Sequence, residues 1–253
     1  IIYDPKTGRI ENRGVPVPYE SIYGAAYDSV KNILYFNGYF RGHTYSYNID
    51  TGKVKDFGQT SEFGSFRLAV GPDKNIYCNS RSGVLYRIDV NEEKLVDIGI
   101  RLPKYDKLPQ GESHRQLDYT ENGPDGKMYI AEIFSQNLMR YDPKTNTLEE
   151  IGDFRPEGID LGYAQVVHGL SFDENNVLWY TIIKMDELLQ SRGVQLCSWD
   201  IFGGSKPQYY GLIGVKERAL VSMSEMGIYN RILYMPDANY CFEKCAVISI
   251  DLK

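Results

Sequence analysis

A phrase ending in an acidic residue recurs along the 253 residues of this chain, and it limits the fold more than any other feature. The copies are Ile2-Tyr3-Asp4, Tyr47-Asn48-Ile49-Asp50, Tyr86-Arg87-Ile88-Asp89, Arg140-Tyr141-Asp142, Ser198-Trp199-Asp200 and Ser249-Ile250-Asp251. A turn follows most copies, then a short apolar run that closes on glycine: Gly58, Gly99, Gly152 and Gly214. Ahead of the phrase stands a strand with an aromatic at a fixed place, at Tyr35, Tyr77, Tyr129, Trp179 and Tyr234. An earlier apolar run precedes it across an Asp/Asn/Gly turn such as Pro124-Asp125-Gly126. Turn chemistry of this kind between apolar runs makes hairpins. Each unit therefore reads as four short strands, and an all-strand repeat of about 40–50 residues predicts a β-propeller.

The expected fold is all-β: four-stranded antiparallel blades in a single domain over residues 1–253. Residues 1–14 read as the outer two strands of one blade. Further blades are expected at about 20–60, 64–101, 114–153, 166–215 and 219–253, the last with three strands. About five blades are visible. A five-bladed ring would carry a surplus strand, so part of a six- or seven-bladed ring fits more naturally. The start at Ile1, in mid-strand, implies a terminus upstream or a processed one. The repeated Tyr, Trp, Asp and Gly are read as structural, the aromatics packing between blades and the Asp capping a turn.

Composition narrows the partners. Hydrophobic residues make up 42% of the chain, enough for a sizeable core, and 21 tyrosines favour strands. A net charge of −6 and a pI of about 5.2 argue against nonspecific nucleic-acid binding. No apolar run reaches the ~18 residues of a membrane-spanning helix. Of the four cysteines, Cys241 and Cys245 are close enough to bracket a hairpin and pair, whereas Cys78 and Cys197 read as buried free thiols. The spacing contains no zinc-binding pattern. An extracellular or periplasmic compartment is slightly favoured over others.

The run from His168 to Thr181, His-Gly-Leu-Ser-Phe-Asp-Glu-Asn-Asn-Val-Leu-Trp-Tyr-Thr, resembles the blade signature of the virginiamycin B lyase-like propellers. Gly123-Pro-Asp-Gly-Lys-Met-Tyr-Ile-Ala131 and Leu138-Met-Arg-Tyr-Asp142 are similar to the SMP-30/gluconolactonase and NHL-type repeats. The resemblance covers about residues 20–253. It implies the propeller fold, and in the lyase-like group a catalytic His at the channel mouth with a metal held by a carboxylate. His168 occupies the matching blade position. For a metal-dependent lactonase or hydrolase, Glu132 and Glu225 are the candidate carboxylates, with a divalent cation (Mg or Ca) in the channel.

A propeller offers one natural pocket, the channel mouth, formed by the second-to-third-strand loops and the entries to the first strands. His43, His114 and His168 all map to loop ends of that polarity, as do Arg41, Arg67, Arg81, Arg115, Tyr163 and Arg192. The expected catalytic set is His168, His114 and Tyr163, and the expected ligand-binding set is Arg67, Arg115, His43, Arg41 and Arg81. Arg67 begins a first strand where other blades carry glycine, and a buried charge there needs a partner or a ligand. Two long connections, at 101–113 and 184–193 (the latter read as one helical turn), are expected to border the binding face. Arginine suits a carboxylate and histidine a proton transfer. The reading is a propeller that recognises a small polar or anionic ligand or an oligosaccharide, with lyase chemistry in view. A non-catalytic protein-interaction propeller and a metal-dependent lactonase or hydrolase stay open beside it.

Overall fold

The structure is a computed structural model that describes residues 1–62, 67–103, 117–132, 136–160, 165–186, 190–215, 218–223, 225–237 and 246–252, with 118, 165–168 and 215 described by backbone alone. Every regular element among these residues is a β-strand. The strands form antiparallel sheets, four of them four-stranded and ordered as in the sequence. The fold is all-β, built of propeller blades. Among the described residues no helix is long and apolar enough to cross a membrane.

The chain divides into two compact units, residues 1–70 with 74–101, and 71–73 with 102–253. In the first unit, β1 (Ile2–Tyr3) and β2 (Ile10–Glu11) form a hairpin. Sheet I consists of β3 (Ile22–Asp28), β4 (Ile33–Gly38), β5 (His43–Asn48) and β6 (Val54–Gln59). Sheet II consists of β7 (Ala69–Val70), β8 (Ile76–Asn79), β9 (Val84–Asp89) and β10 (Lys94–Arg101). Ala26 and Tyr35 of sheet I meet Ile76, Cys78 and Ile88 of sheet II in one buried cluster. The opposite face of sheet I buries Phe36, Tyr45 and Tyr47. Alternate residues of β4 thus serve opposite faces, as the period of a strand requires.

In the second unit, sheet III consists of β11 (Leu117–Asn122), β12 (Met128–Glu132), β13 (Asn137–Asp142) and β14 (Thr147–Asp153). Sheet IV consists of β15 (Gln165–Phe172), β16 (Leu178–Met185), β17 (Ser191–Trp199) and β18 (Gln208–Leu212). A hairpin of β19 (Gly214–Val215) and β20 (Arg218–Ala219) follows, then a three-stranded sheet of β21 (Gly227–Tyr229), β22 (Ile232–Pro236) and β23 (Val247–Asp251). Sheet IV is buried on both sides. Tyr180, Ile182, Cys197 and Trp199 pack toward Tyr129 and Leu138 of sheet III. Ile183, Val194 and Leu196 pack toward Leu233, Met235 and Ile248.

The recurring acid caps the turn after the third strand. Its carboxylate accepts backbone N–H groups two or three residues on: Lys6 onto Asp4, Asn91 and Glu92 onto Asp89, Lys144 onto Asp142, Gly203 onto Asp200. These bonds hold Asp4, Asp89 and Asp142 below the usual carboxylate range, with Thr7 the leading donor for Asp4. In the second copy the cap is Asn48, which accepts from Thr51 N–H at 2.8 Å, and not Asp50. Asp50 instead accepts from Asn32 Nδ2.

The recurring glycine is a bulge residue. Gly58, Gly99, Gly152 and Gly211 have φ between +77° and +144°. The ladder slips beside each of them, by one residue at Gly58, Gly152 and Gly211 and by two at Gly99. Only glycine enters that region of φ without cost. In sheet IV the bulge falls at Gly211, and Gly214 begins β19 instead.

The connection at 184–193, expected as a loop with a helical turn, is strand at 184–185 and 191–193, and its residues 187–189 lie outside the described ones. β16 runs to Met185 and β17 starts at Ser191, and these two residues pair. Ile182, Ile183 and Val194 are buried on both faces of the hairpin, so the ladder continues through them. Most of the 101–113 connection, and Cys241 and Cys245, lie outside the described residues. Cys78 and Cys197 are free buried thiols whose pKa values burial pushes up to about 12. Neither is a reactive thiolate near neutral pH.

Candidate functional site

The first unit gathers polar groups at one end of its sheets. This end is where β4, β6 and β8 finish and β5, β7 and β9 begin. Asn37, Thr44 and Thr60 are buried there. Thr44 Oγ1 donates to Asn37 Oδ1 at 2.8 Å and lies 3.0 Å from Thr60 Oγ1. Thr60 Oγ1 donates to the Gly42 carbonyl at 3.1 Å, and Asn37 Nδ2 donates to the Arg67 carbonyl at 3.2 Å. Arg81 N–H donates to Ser61 Oγ at 3.3 Å. All but the Thr44–Asn37 bond join residues 16 to 30 positions apart. Cutting one inside a buried network costs about 1–3 kcal/mol, so the loops carrying Arg41, Arg67 and Arg81 are held in place from beneath.

Glu20 anchors the β4–β5 loop. Its side chain is fully shielded from solvent. One oxygen accepts the Phe40 N–H at 3.1 Å, and the other accepts the Tyr45 hydroxyl at 3.3 Å and faces Arg41 Nε at 4.0 Å. A side chain at position 38 would meet this carboxylate within 2.6–2.9 Å, so Gly38 makes the room for it. The preceding residue, Tyr19, holds φ = +68°. That is an outlier for a bulky side chain and costs of order 1–3 kcal/mol. The strain accompanies the inward turn of Glu20. Burial first, then the charges of Asp56 and Glu20, push the Tyr45 phenol up to about 12. It is a fixed hydroxyl donor near neutral pH.

His43 opens β5. Its Nδ1 lies 3.0 and 3.1 Å from the two oxygens of Asp56 on β6, and its ring stacks on Tyr45 at 6.0 Å. Asp56 also accepts the N–H of the bulge residue Gly58 at 2.7 Å. The bulge thus fixes the carboxylate and the carboxylate fixes the imidazole. With Nδ1–H committed, Nε2 is the nitrogen left for a ligand. Arg41, two residues earlier, has a side chain 60% exposed. Beyond the long contact of its Nε with Glu20, its guanidinium makes no hydrogen bond or ion pair among the described residues.

The structure brings Arg41, His43, Arg67 and Arg81 to this one end of the first unit. His114, Arg115 and Tyr163 lie outside the described residues. His168 does not stand at a loop end. β15 already begins at Gln165, and His168 lies within it where the register shifts between Val167 and Leu170. Glu132 ends β12 in the second unit and is buried. Among the described residues no group of three or more His, Cys, Asp or Glu side chains is placed to hold a metal ion. The described donors therefore do not make the cation site implied by the resemblance. Arg192 forms an ion pair with Asp186 in the β16–β17 hairpin.

Two members of the site escaped the sequence reading, Glu20 and Asp56. Asp56 carries a local signal, an acid two residues before the recurring glycine. Glu20 carries none, since its partners Gly38, Phe40, Arg41 and Tyr45 are 18 to 25 residues away.

The sequence matches no protein-family model and no curated protein. The fold matches solved propellers. A streptogramin B lyase structure aligns at a TM-score of 0.63 and 15% identity, over 91% of this chain and 66% of that one. A chain of a nidogen–laminin complex aligns at 0.57 and 14%, over 93% of this chain and 77% of that one. A gluconolactonase from Xanthomonas campestris aligns at 0.54 and 12%, over 92% and 73%. The chain thus spans just under two thirds of the streptogramin B lyase structure. What is shared at these identities is the fold, and the three neighbours carry three different functions, so the reading must come from the site.

Proposed function

We propose that the loop end of the first unit binds a small carboxylate-bearing ligand, with Arg41 holding the anion and His43 exchanging a proton with it. One observation carries the reading. A His–Asp pair with a free Nε2 stands two residues from an exposed guanidinium whose loop is pinned by a buried carboxylate. A guanidinium presents paired N–H donors that match a carboxylate. An imidazole oriented through Nδ1 by an acid can take a proton at Nε2 and return it. Arg67 and Arg81, held at the same end, add positive potential in an otherwise acidic protein.

These parts suit an elimination. Nε2 of His43 removes the proton on the carbon next to the carboxylate. The C–H electron pair becomes the new C=C bond, the C–O bond one carbon further on breaks, the departing oxygen takes a proton from solvent water, and His43 returns its own proton to solvent. Arg41 neutralises the carboxylate, which lets it take up the charge of the carbanion-like transition state. The fold-level likeness to a lyase is consistent with this and does not establish it.

The test is calorimetric titration of wild type, Arg41→Ala and His43→Ala with 3-alkoxy acids and 4-linked uronic acid oligomers, with ultraviolet absorbance recorded for a new conjugated double bond. Binding lost in Arg41→Ala, together with absorbance growth lost in His43→Ala, is the expected result. Carboxylate binding that survives Arg41→Ala would sink the reading. Binding without absorbance growth would leave a binding module rather than a lyase.

A further inference from the structure

Beside Arg41 the β4–β5 loop carries an aromatic ledge that the carboxylate reading does not use. Tyr23 stacks on Tyr39 with ring centroids 5.2 Å apart, and Phe40 meets Tyr39 edge-on at 5.7 Å. Tyr23 is 60% and Phe40 64% exposed, so the rings present apolar surface to solvent instead of filling a core. They are nonetheless fixed. Tyr39 N–H donates to the Ser21 carbonyl at 2.8 Å, and Phe40 N–H donates to Glu20. Tyr23 and Phe40 are held in order yet leave ring faces to solvent. They have value for a ligand with a flat apolar face.

The neighbours of the ledge narrow that ligand. Arg41 directly follows Phe40 and supplies the charge. Asp56, 49% exposed, and Nε2 of His43 supply an acceptor and a switchable donor or acceptor for hydroxyl groups. An aromatic acid would offer the exposed side of Asp56 no hydroxyl donor. A pyranose ring offers C–H groups on one face, hydroxyls at its edge and, in a uronic acid, a carboxylate.

We propose that Tyr23, Tyr39 and Phe40 form a sugar-ring subsite, so that the ligand at Arg41 is a uronic acid residue of an oligosaccharide. The inference rests on the carboxylate reading above and adds the ring. The test is calorimetry with digalacturonate, with its neutral galactose counterpart and with 4-hydroxyphenylacetate, on wild type, Tyr23→Ala, Phe40→Ala and Arg41→Ala. Wild type should prefer digalacturonate. Phe40→Ala and Tyr23→Ala should each weaken it about tenfold, the size of one aromatic contact. Arg41→Ala should erase the preference for the charged over the neutral sugar. Where a ring variant shows a shifted melting temperature, Phe40→Leu or Tyr23→Leu takes its place, keeping apolar bulk without the ring. If digalacturonate binding is lost in Arg41→Ala but unchanged in both ring variants, the sugar subsite is wrong and the carboxylate reading stands. Tighter binding of the aromatic acid than of digalacturonate also overturns the subsite. If no carboxylate binds wild type, both readings fall.

Discussion

In sheet I, Asp56 stands two residues ahead of Gly58 and accepts its N–H at 2.7 Å; in sheet II, Asp97 stands two residues ahead of Gly99 and accepts its N–H at 2.9 Å. Both glycines have positive φ and both mark a slipped register. The free side of the carboxylate separates them. Asp97 takes two bonds of 2.9 Å from Arg101 on the same strand, a closed bidentate pair. Asp56 takes His43 from the neighbouring strand, and Nε2 of His43 has no partner among the described residues. A glycine bulge is finished with an arginine salt bridge in sheet II and with a histidine partner in sheet I. An arginine partner leaves the acid nothing to exchange, whereas a histidine partner leaves the pair able to move a proton.

The largest effect expected from breaking this contrast is at Glu20, whose anchoring contacts hold the sheet I loop. Glu20→Ala removes the acceptor of Phe40 N–H and Tyr45 O–H and should cost about 1–3 kcal/mol in a urea denaturation curve. Carboxylate affinity should fall with it. A variant of unchanged stability would mean that water replaces the carboxylate and that the loop is not pinned.

Next in size are the two bulges themselves. Gly58→Ala and Gly99→Ala each place a side chain at positive φ, where no neighbour lies within 4 Å of the added carbon, so the backbone penalty of about 1–2 kcal/mol stands alone. The two losses of stability should be alike, and only Gly58→Ala should also weaken ligand binding. Equal effects on binding would show that the two ends do not differ in role.

A smaller change comes from the acids. Asp56→Asn should lower affinity or turnover about tenfold by releasing the orientation of His43, about 1.4 kcal/mol at 25 °C. Asp97→Asn should leave both unaltered.

The pH responses are smaller still and run in opposite directions. Tyr45 is pushed up to about 12, first by burial and then by Asp56 and Glu20. A raised folded value keeps stability constant below the unfolded pKa near 10 and removes it as the pH climbs toward 12. Tyr45→Phe should therefore flatten part of the alkaline fall in melting temperature. Asp97 is held below its ordinary value, first by Arg101 and then by the Gly99 N–H. Its contribution is present above about pH 4 and lost on acidification. Asp97→Asn should trim the acid branch only slightly and less at high salt, because the Asp97 side chain is 44% exposed and solvent screens the pair. A large acid effect would mark that pair as a major support of sheet II.

The sequence by itself determined the blades. The acid phrase, the aromatic of the second strand and the closing glycine were all readable because each answers a short-range demand. An Asp reaches the N–H groups two or three residues on, and a bulge needs one residue at positive φ. Arg41 and His43 could be placed at a loop end for the same reason, since hairpin order follows from strand order. Only the tertiary structure decided what those residues meet. Glu20 reaches Tyr45 across 25 residues, Asn37 reaches the Arg67 carbonyl across 30, and Tyr23 stacks on Tyr39 across a strand pair. It likewise put His168 inside β15 and extended the β16–β17 ladder to the pair Met185–Ser191. Local hydrogen bonds and backbone angles are written in neighbouring residues. Contacts between distant segments are fixed by sheet register and by which faces are buried, and those are settled only when the sheets pack.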